Sequence, residues 1–474
     1  MTPHGTQTQA DLARYSASEV AFLALAGPIS CNSFVSATRD NARSIVERLR
    51  SAGFQAYWVG GCVRDLVMGR EPKDYDVATD ASPDDVQKLF PGSLTVGAQF
   101  GVVVVPHQSG PTEVATFRSD GRYLDGRHPV EVRFTRTPEA DVRRRDFTIN
   151  GLLYDPVTEK VLDFVGGQAD IRARRLRTIG DPLARFQEDR LRMLRAVRFA
   201  ARFRFTLDPA ARAVIQELAS TIHQVSAERI RDEIVKILTE GGARRGFELL
   251  AETGLLPVVL PEVDRMRGVQ QSPDYHPEGD VWQHTLSLLQ QLPAGGPETL
   301  ALGALLHDVA KPQCAGRKGE RITFYGHPAL GADLAVAICQ RLRRSRTTWE
   351  RVDYLVRHHL RLTQAPEMRL ATLKKMLAEE GFEELCRVAR LDALASSRDL
   401  RYVLFCERRR AELRADELQP PRLLTGADLL TMGYAAGPRI GEILRLLEDA
   451  QLEGEVTSRA AAETFVRERF PLAS

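Results

Sequence analysis

The residues best suited to chemistry are acidic. Lys73-Asp74-Tyr75-Asp76-Val77-Ala78-Thr79 sets two carboxylates two apart in an apolar run that reads as a strand, so both would lie on one face. Two aspartates side by side repel unless cations sit between them, and their hard oxygens suit Mg²⁺, which keeps several waters and bridges to substrate phosphates. In a two-metal site one ion activates an attacking hydroxyl while the other neutralises a leaving pyrophosphate. Alone, an Asp-x-Asp would read as the solvated face of an edge strand. Glu113, on a later strand, is a candidate third carboxylate, or a surface residue.

A phosphate cradle stands a few residues upstream. Val59-Gly60-Gly61-Cys62-Val63-Arg64-Asp65 places two glycines directly after a strand and opens a helix. Backbone amides near Gly61 could approach a phosphate without a Cβ in the way, and Arg64 would add a charged donor fork. A Gly-Gly pair by itself is more often a tight structural turn.

Two arginine blocks follow. Arg144-Arg145-Asp146-Phe147-Thr148-Ile149-Asn150 is the first, and Glu188-Asp189-Arg190-Leu191-Arg192-Met193-Leu194-Arg195-Ala196-Val197-Arg198 is the second. Asp189, Arg192, Arg195 and Arg198 recur every third position beside an apolar stripe of Leu194, Val197 and Ala201. Such a row is usually a solvated face. Here a carboxylate leads it, which permits a sharper reading. Cytosine and adenine each carry an exocyclic amine beside a ring-nitrogen acceptor. A carboxylate can accept from the amine while a guanidinium donates to the ring nitrogen. Guanine and uracil present a carbonyl instead and would leave buried polar groups unpaired. Asp189 and Arg192 are the expected base readers, with Arg195 and Arg198 nearer the phosphates.

Most of the histidines fall in one later stretch. Tyr275-His276-Pro277-Glu278-Gly279-Asp280-Val281-Trp282-Gln283-His284 is followed by His307-Asp308, Gly326-His327, Arg357-His358-His359 and Leu391-Asp392. A lone helical histidine is usually a packing residue, and a lone His-Asp pair says little. The full series in this order resembles the HD hydrolase pattern. That resemblance implies a metal on His284, His307, Asp308, His327, His359 and Asp392, with His358 competing for the place given to His359. Imidazoles with carboxylates suit a divalent transition metal (Ni, Mn, Co or Fe) or Mg²⁺, and a metal there would polarise a phosphate and activate water. The bland alternative is a degenerate helical spacer.

These residues need several elements to hold them. At 474 residues the chain exceeds one ordinary domain. A hydrophobic share of 43% and a charged share of 27% fit a globular protein, and no apolar run is long enough to cross a bilayer, so no membrane partner is expected. The mildly apolar Ala21–Ile29 lacks a basic flank expected of a signal peptide. Six scattered cysteines without CxxC pairs argue against zinc ribbons and disulfide frameworks, which suits a reducing cytoplasm. A net charge of only +2 means that a polyanion would have to meet local basic patches. Strand-like runs at Ala56–Val59, Tyr75–Ala78, Val102–Val105 and Glu113–Phe117 alternate with short helices, and almost everything after Ile171 reads as helix. The expected fold class is α+β, divided into an N-terminal extension (1–36), an α/β head (37–170), a helical neck and body (171–270), a histidine-rich helical domain (271–411) and, beyond a linker at Leu413–Arg422, a helical tail (412–474).

Taken in order, the motifs resemble the bacterial class II tRNA nucleotidyltransferases and their poly(A) polymerase relatives. The carriers are Gly60-Gly61-x-x-Arg64-Asp65, Asp74-x-Asp76, Glu113-Val114-Ala115-Thr116-Phe117-Arg118, Asp125-Gly126-Arg127, Arg144-Arg145-Asp146, Asp163-x-x-Gly166-Gly167 and Glu188-Asp189-x-x-Arg192. The resemblance implies a polymerase-β-like head, Mg²⁺ on Asp74 and Asp76, a triphosphate near Gly61, Arg64 and Arg145, and base selection by Asp189 and Arg192. It implies that Arg118–His128 is a flexible loop helping the switch from C to A addition. It further implies addition of C, C and A to tRNA from CTP and ATP without a template, with neck, body and tail gripping the acceptor and TψC arms by shape and backbone. Leu423–Leu430, Gly437-Pro438-x-x-Gly441 and Gln451–Gly454 resemble the tail of these enzymes. Rival readings are a poly(A) polymerase or an A-adding enzyme of the same family, or an HD phosphohydrolase whose head only binds RNA. Oligomeric state is not legible.

Overall fold

The computed structural model describes residues 31–95, 101–120, 132–272, 276–277 and 279–472. The Asp125-Gly126-Arg127 motif, most of the expected switching loop, residues 1–30, Tyr275 and Glu278 lie outside them. The chain divides into two compact units, Met1–Glu188 and Asp189–Ser474.

In the first unit nine strands are described up to Asp163: β1 (Ala56–Val59), β2 (Asp76–Thr79), β3 (Leu94–Thr95), β4 (Val102–Val105), β5 (Thr112–Thr116), β6 (Arg118–Asp120), β7 (Val132–Phe134), β8 (Leu152–Asp155) and β9 (Lys160–Asp163). Seven form one sheet in the order β3-β4-β5-β2-β1-β8-β9, while β6 and β7 pair with each other. Valine- and aromatic-rich runs such as the four valines of β4 favour the pleated, half-buried surface. β2 and β5 pair in parallel with Val77 opposite Val114, and β1 pairs antiparallel to β2 with Val59 opposite Asp76. The end of β1, the start of β2 and the residue before Val114 therefore meet at one end of the sheet. Helix Cys31–Ser51 buries Ala42, Ile45, Val46 and Leu49 at helical spacing and packs on β1 and β2. Residues 31–36, expected in the extension, are its first turns.

The first compact unit runs to Glu188, past residue 170 where the head was expected to end. Residues 171–188 fold with the head: Thr148 N donates to Arg177 O at 3.0 Å, Ile179 N donates to Asp146 O at 3.1 Å, and Ile179 lies in the head core with Val59, Phe117 and Leu153. The arginine-rich run reads as helix locally, but the helix ends at Arg172 and the chain then pairs with residues far upstream.

The second unit is mainly helical. Helices Leu191–Phe203, Ala227–Thr239 and Ala243–Glu252 bury Leu194, Val197, Ile234 and Phe247 among them. One feature was not expected, a two-stranded hairpin of Gly316–Lys318 and Arg321–Thr323. The expected linker Leu413–Arg422 contains a short helix, Ala415–Leu418, whose Leu418 is buried in the core of the histidine domain. The tail helices Gly426–Thr431, Pro438–Glu453 and Arg459–Arg469 surround a separate core that includes Leu429, Ile443, Leu447 and Val466. Among the described residues no helix is long and apolar enough to cross a membrane, and Cys62, Cys314, Cys339, Cys386 and Cys406 are free.

Candidate functional site

The acidic centre forms where β1 ends and β2 and β5 begin. Asp76 opens β2 and is half-buried, and Glu113 is its neighbour across the parallel pair. Asp74 lies in the exposed segment before the strand, which corrects the expectation that both aspartates sit within it. Burial, then the charges of Asp74 and Glu113, push the Asp76 carboxyl up to about 6, while Arg145 pulls it down. Three carboxylates gathered at one end of a sheet, with the charges of two raising the third, are a donor set fitted to hard divalent cations.

The glycine turn packs against these acids. Gly60 adopts φ 78°, a left-handed conformation that disfavours side chains, and a Cβ there would meet Arg145 Nη1 at 3.4 Å. Arg145 is held from behind by Asp141, which is 1% exposed and takes Arg144 on one oxygen and Arg145 on the other at 2.7 and 2.9 Å. Burial alone would raise the Asp141 carboxyl, but the two guanidiniums outweigh it and lower its pKa.

Arg64 has a different place from the one expected. It is buried, paired with Asp65 at 2.8 Å and donating to Asn150 Oδ1 at 2.9 Å, while Asn150 Nδ2 donates to Asp146 Oδ1 at 3.0 Å. A Cβ on Gly61 would lie 3.6 Å from its guanidinium, so Arg64 braces the turn from inside and is not a fork offered to solvent. The Arg144–Asn150 motif thus anchors Arg145 and Arg64. Asp163 explains another motif: Oδ1 accepts from the amides of Val165, Gly166 and Gly167 and Oδ2 from Gln168. A Cβ on Gly167 would stand 2.2 Å from Thr148 O, so this motif closes a turn.

The second unit begins at Asp189, outside the helix that starts at Leu191. Its Oδ1 caps the Leu191 amide at 3.0 Å and its Oδ2 takes Arg229 at 2.7 Å. The expected continuous helical row is therefore broken at its first member, which is fixed by an arginine forty residues away. Arg192 is half-buried on the first turn. Arg195 lies 3.9 Å from Glu233 and over the Phe199 ring. Arg198 is 6% exposed and bound by Glu233 at 2.7 Å and Glu240 at 3.0 Å. It is committed to holding two helices together, and its expected place near phosphates is withdrawn.

The histidine series converges. His284, His307 and Asp392 form one group, and Asp308, His327 and His359 a second, each with ligand atoms within 4.8 Å. His307, His327 and His359 hold their Nδ1 atoms against the carbonyls of Ala304, Phe324 and Val356 at 2.9, 2.7 and 2.7 Å. A carbonyl only accepts, so each Nδ1 carries a proton, and in the neutral ring Nε2 presents a bare lone pair. The Nε2 atoms of His327 and His359 face each other at 3.4 Å, an arrangement that wants a cation. Asp308 lies 3.2 Å from His307 Nε2 and 3.4 Å from His327 Nε2, and Asp392 is 3.1 Å from His284 Nε2. Burial would raise the Asp308 carboxyl, but His307 and Lys311 hold it well below the usual range. Burial, aided by His307, lowers His359 to about 4, keeping it neutral at ordinary pH. His358 instead packs on Tyr354 at 5.1 Å, away from the cluster. The carbonyl partners that fix the tautomers carry no side-chain signal.

This geometry coincides with three family matches. Residues 56–177 match "Poly A polymerase head domain", 204–267 match "Probable RNA and SrmB- binding site of polymerase A", and 280–397 match "HD domain". The chain is thus similar, segment by segment, to a polymerase head, its RNA-binding neighbour and an HD domain. The chain is 42% identical over 238 residues to a CCA-adding enzyme of Geobacillus sp. (strain WCH70), covering 50% of this chain and 58% of that one. It is 44% identical over 216 residues to the CCA-adding enzyme of Geobacillus stearothermophilus, covering 46% and 53%. The matched stretches thus span little more than half the length of these curated relatives. The crystal structure of the Bacillus stearothermophilus CCA-adding enzyme in complex with CTP superposes with a TM-score of 0.67 at 28% identity, covering 90% of this chain and 96% of that one. Nucleotidyltransferase head and HD domains generally imply dependence on divalent metals.

Proposed function

We propose that the protein is a CCA-adding tRNA nucleotidyltransferase that uses CTP and ATP. The observation that carries this reading is the convergence of Asp74, Asp76 and Glu113 beside a glycine turn and a braced arginine. Asp74 and Asp76, with Glu113 close by, would hold Mg²⁺, which when bound supplies activation of the RNA 3′-hydroxyl and neutralisation of pyrophosphate. Arg145 offers a fixed cation at the turn, where Gly60 and Gly61 leave room for phosphate oxygens. Asp189, oriented by Arg229, accepts from the exocyclic amine of cytosine or adenine, and Arg192 donates to the ring nitrogen. Arg195 is the remaining arginine of the series with access to the phosphates. The body and tail meet the tRNA through backbone and shape. A cytoplasmic site of action follows from the substrates.

The experiment offers tRNA lacking the whole CCA end, lacking only the final A, or complete, with each labelled triphosphate in turn. Addition of C, C and A with termination is expected; unlimited A addition would select the poly(A) polymerase, and no addition the scaffold reading.

A specific observation favours a second activity. The bare Nε2 pairs of the HD cluster would hold a divalent transition metal, whose chemistry when bound is activation of water against a phosphate ester. Purified protein should carry such a metal in a fixed ratio and hydrolyse a generic phosphodiester with added Ni²⁺ or Mn²⁺; neither metal nor hydrolysis would remove this reading.

A further inference from the structure

Beside the histidine cluster lies a polar pair that the chemistry above leaves unused. Gln271 stands outside the matched HD segment and is 5% exposed. Its side-chain oxygen accepts from the Lys311 ammonium at 2.6 Å. Lys311, itself buried, donates also to Asp308 Oδ2 at 2.7 Å and lies 5.3 Å from the centre of the Phe324 ring. An ammonium can only donate, so the Gln271 amide must turn its oxygen toward Lys311 and its NH₂ group elsewhere. That NH₂ has no hydrogen-bond partner among the described residues. A buried donor without an acceptor is costly, and such groups are rare in folded proteins unless something arrives to satisfy them.

The choice of residue is informative. A leucine would leave Lys311 to Asp308 alone, and a glutamate would neutralise the ammonium. Glutamine orients the lysine, preserves its charge and adds a second, neutral donor. A cation and a neutral donor side by side, next to a set of metal ligands, complement an oxyanion that bears more charge than the metal neutralises.

We infer that Gln271 and Lys311 form an oxyanion subsite of the HD centre, where the Gln271 NH₂ and the Lys311 ammonium take non-bridging oxygens of a phosphate ester. The inference rests on the reading of the HD cluster as a metal-dependent phosphohydrolase and extends its site to a residue beyond the matched domain.

The test uses the full-length chain loaded with Ni²⁺, with metal content measured by atomic emission and inorganic phosphate binding measured by calorimetry. Wild type should hold metal and bind phosphate. Gln271→Ala should keep the metal and bind phosphate about tenfold more weakly. Gln271→Glu keeps the shape and the Lys311 contact but places negative charge where the NH₂ stood, so it should bind more weakly still; it carries the test where the alanine variant fails to fold. Unchanged phosphate affinity in metal-loaded variants overturns the subsite and leaves the metal reading standing. Loss of metal from the Gln271 variants also overturns it, since Gln271 would then be a support for the ligands. Absence of metal from wild type overturns both.

Discussion

Replacing Asp76 by asparagine should make the metal-free head more stable while abolishing nucleotide addition. Burial and the charges of Asp74 and Glu113 raise this carboxyl from an ordinary 3.8 to about 6. Each tenfold change in proton affinity is worth about 1.4 kcal/mol, so ionising Asp76 without a cation costs the fold about 3 kcal/mol. Solvent at its exposed edge screens the repulsion and brings the expected gain nearer ~1–2 kcal/mol. Because the folded-state pKa is raised, the folded head binds the proton more tightly than the unfolded chain. The favourable contribution is full below about pH 4 and is lost as pH rises through about 6. Asparagine mimics the protonated acid and does not titrate.

Global unfolding of a chain with two compact units need not be two-state, so the measurement should be local. Hydrogen exchange of the β2 amides, read by mass spectrometry in chelator, reports the opening free energy of that strand. Asp76→Asn should protect β2 relative to wild type at about pH 7.5, and the difference should shrink toward about pH 5 as the wild-type carboxyl takes up its proton. Added Mg²⁺ should protect wild type and leave the variant unchanged. Nucleotide addition should fall about a hundredfold or more. Equal protection at both pH values, or an asparagine variant less protected at the higher one, would show that the acids do not repel and that the electrostatic account of the centre is wrong.

Three further outcomes are expected. Asp189→Ala and Arg192→Ala should lose the preference for CTP and ATP over GTP and UTP by about a hundredfold or more, and Arg229→Ala should shift it the same way through Asp189, all read from kcat/KM for each triphosphate. Arg198→Ala leaves Glu233 as a buried charge robbed of its close partner and should cost about 3–5 kcal/mol in denaturant unfolding, with unchanged triphosphate preference in the molecules that fold. His359→Ala should lose metal from the HD cluster and His358→Ala should retain it, with tRNA extension intact in both, as metal analysis beside the extension assay will show.

What was legible in the sequence was whatever depends on near neighbours. Apolar runs located β1 and β4 to the residue, and the order of acids, glycines and histidines identified the residues that the fold gathers into the acidic centre and the HD cluster. What failed depends on partners far along the chain. The three-residue spacing of Arg192, Arg195 and Arg198 correctly describes one helix, but spacing cannot say that Glu233 and Glu240 approach from another and bury the last of them. Arg64 looked like a phosphate fork because Asn150, its acceptor, lies 86 residues away. His358 and His359 could not be separated because adjacent helical residues differ by about 100° in direction, and only the packing of Tyr354 and the Val356 carbonyl shows which turns inward. The same logic separates the chemistry from its supports. Residues that meet solvent or one another's bare lone pairs, such as Asp74, Glu113 and His327, carry short motifs, while those that aim them, Asp141, Arg229 and Gln271, have partners that no local pattern reveals. Variants of the first kind should therefore remove an activity, and variants of the second should weaken or redirect it.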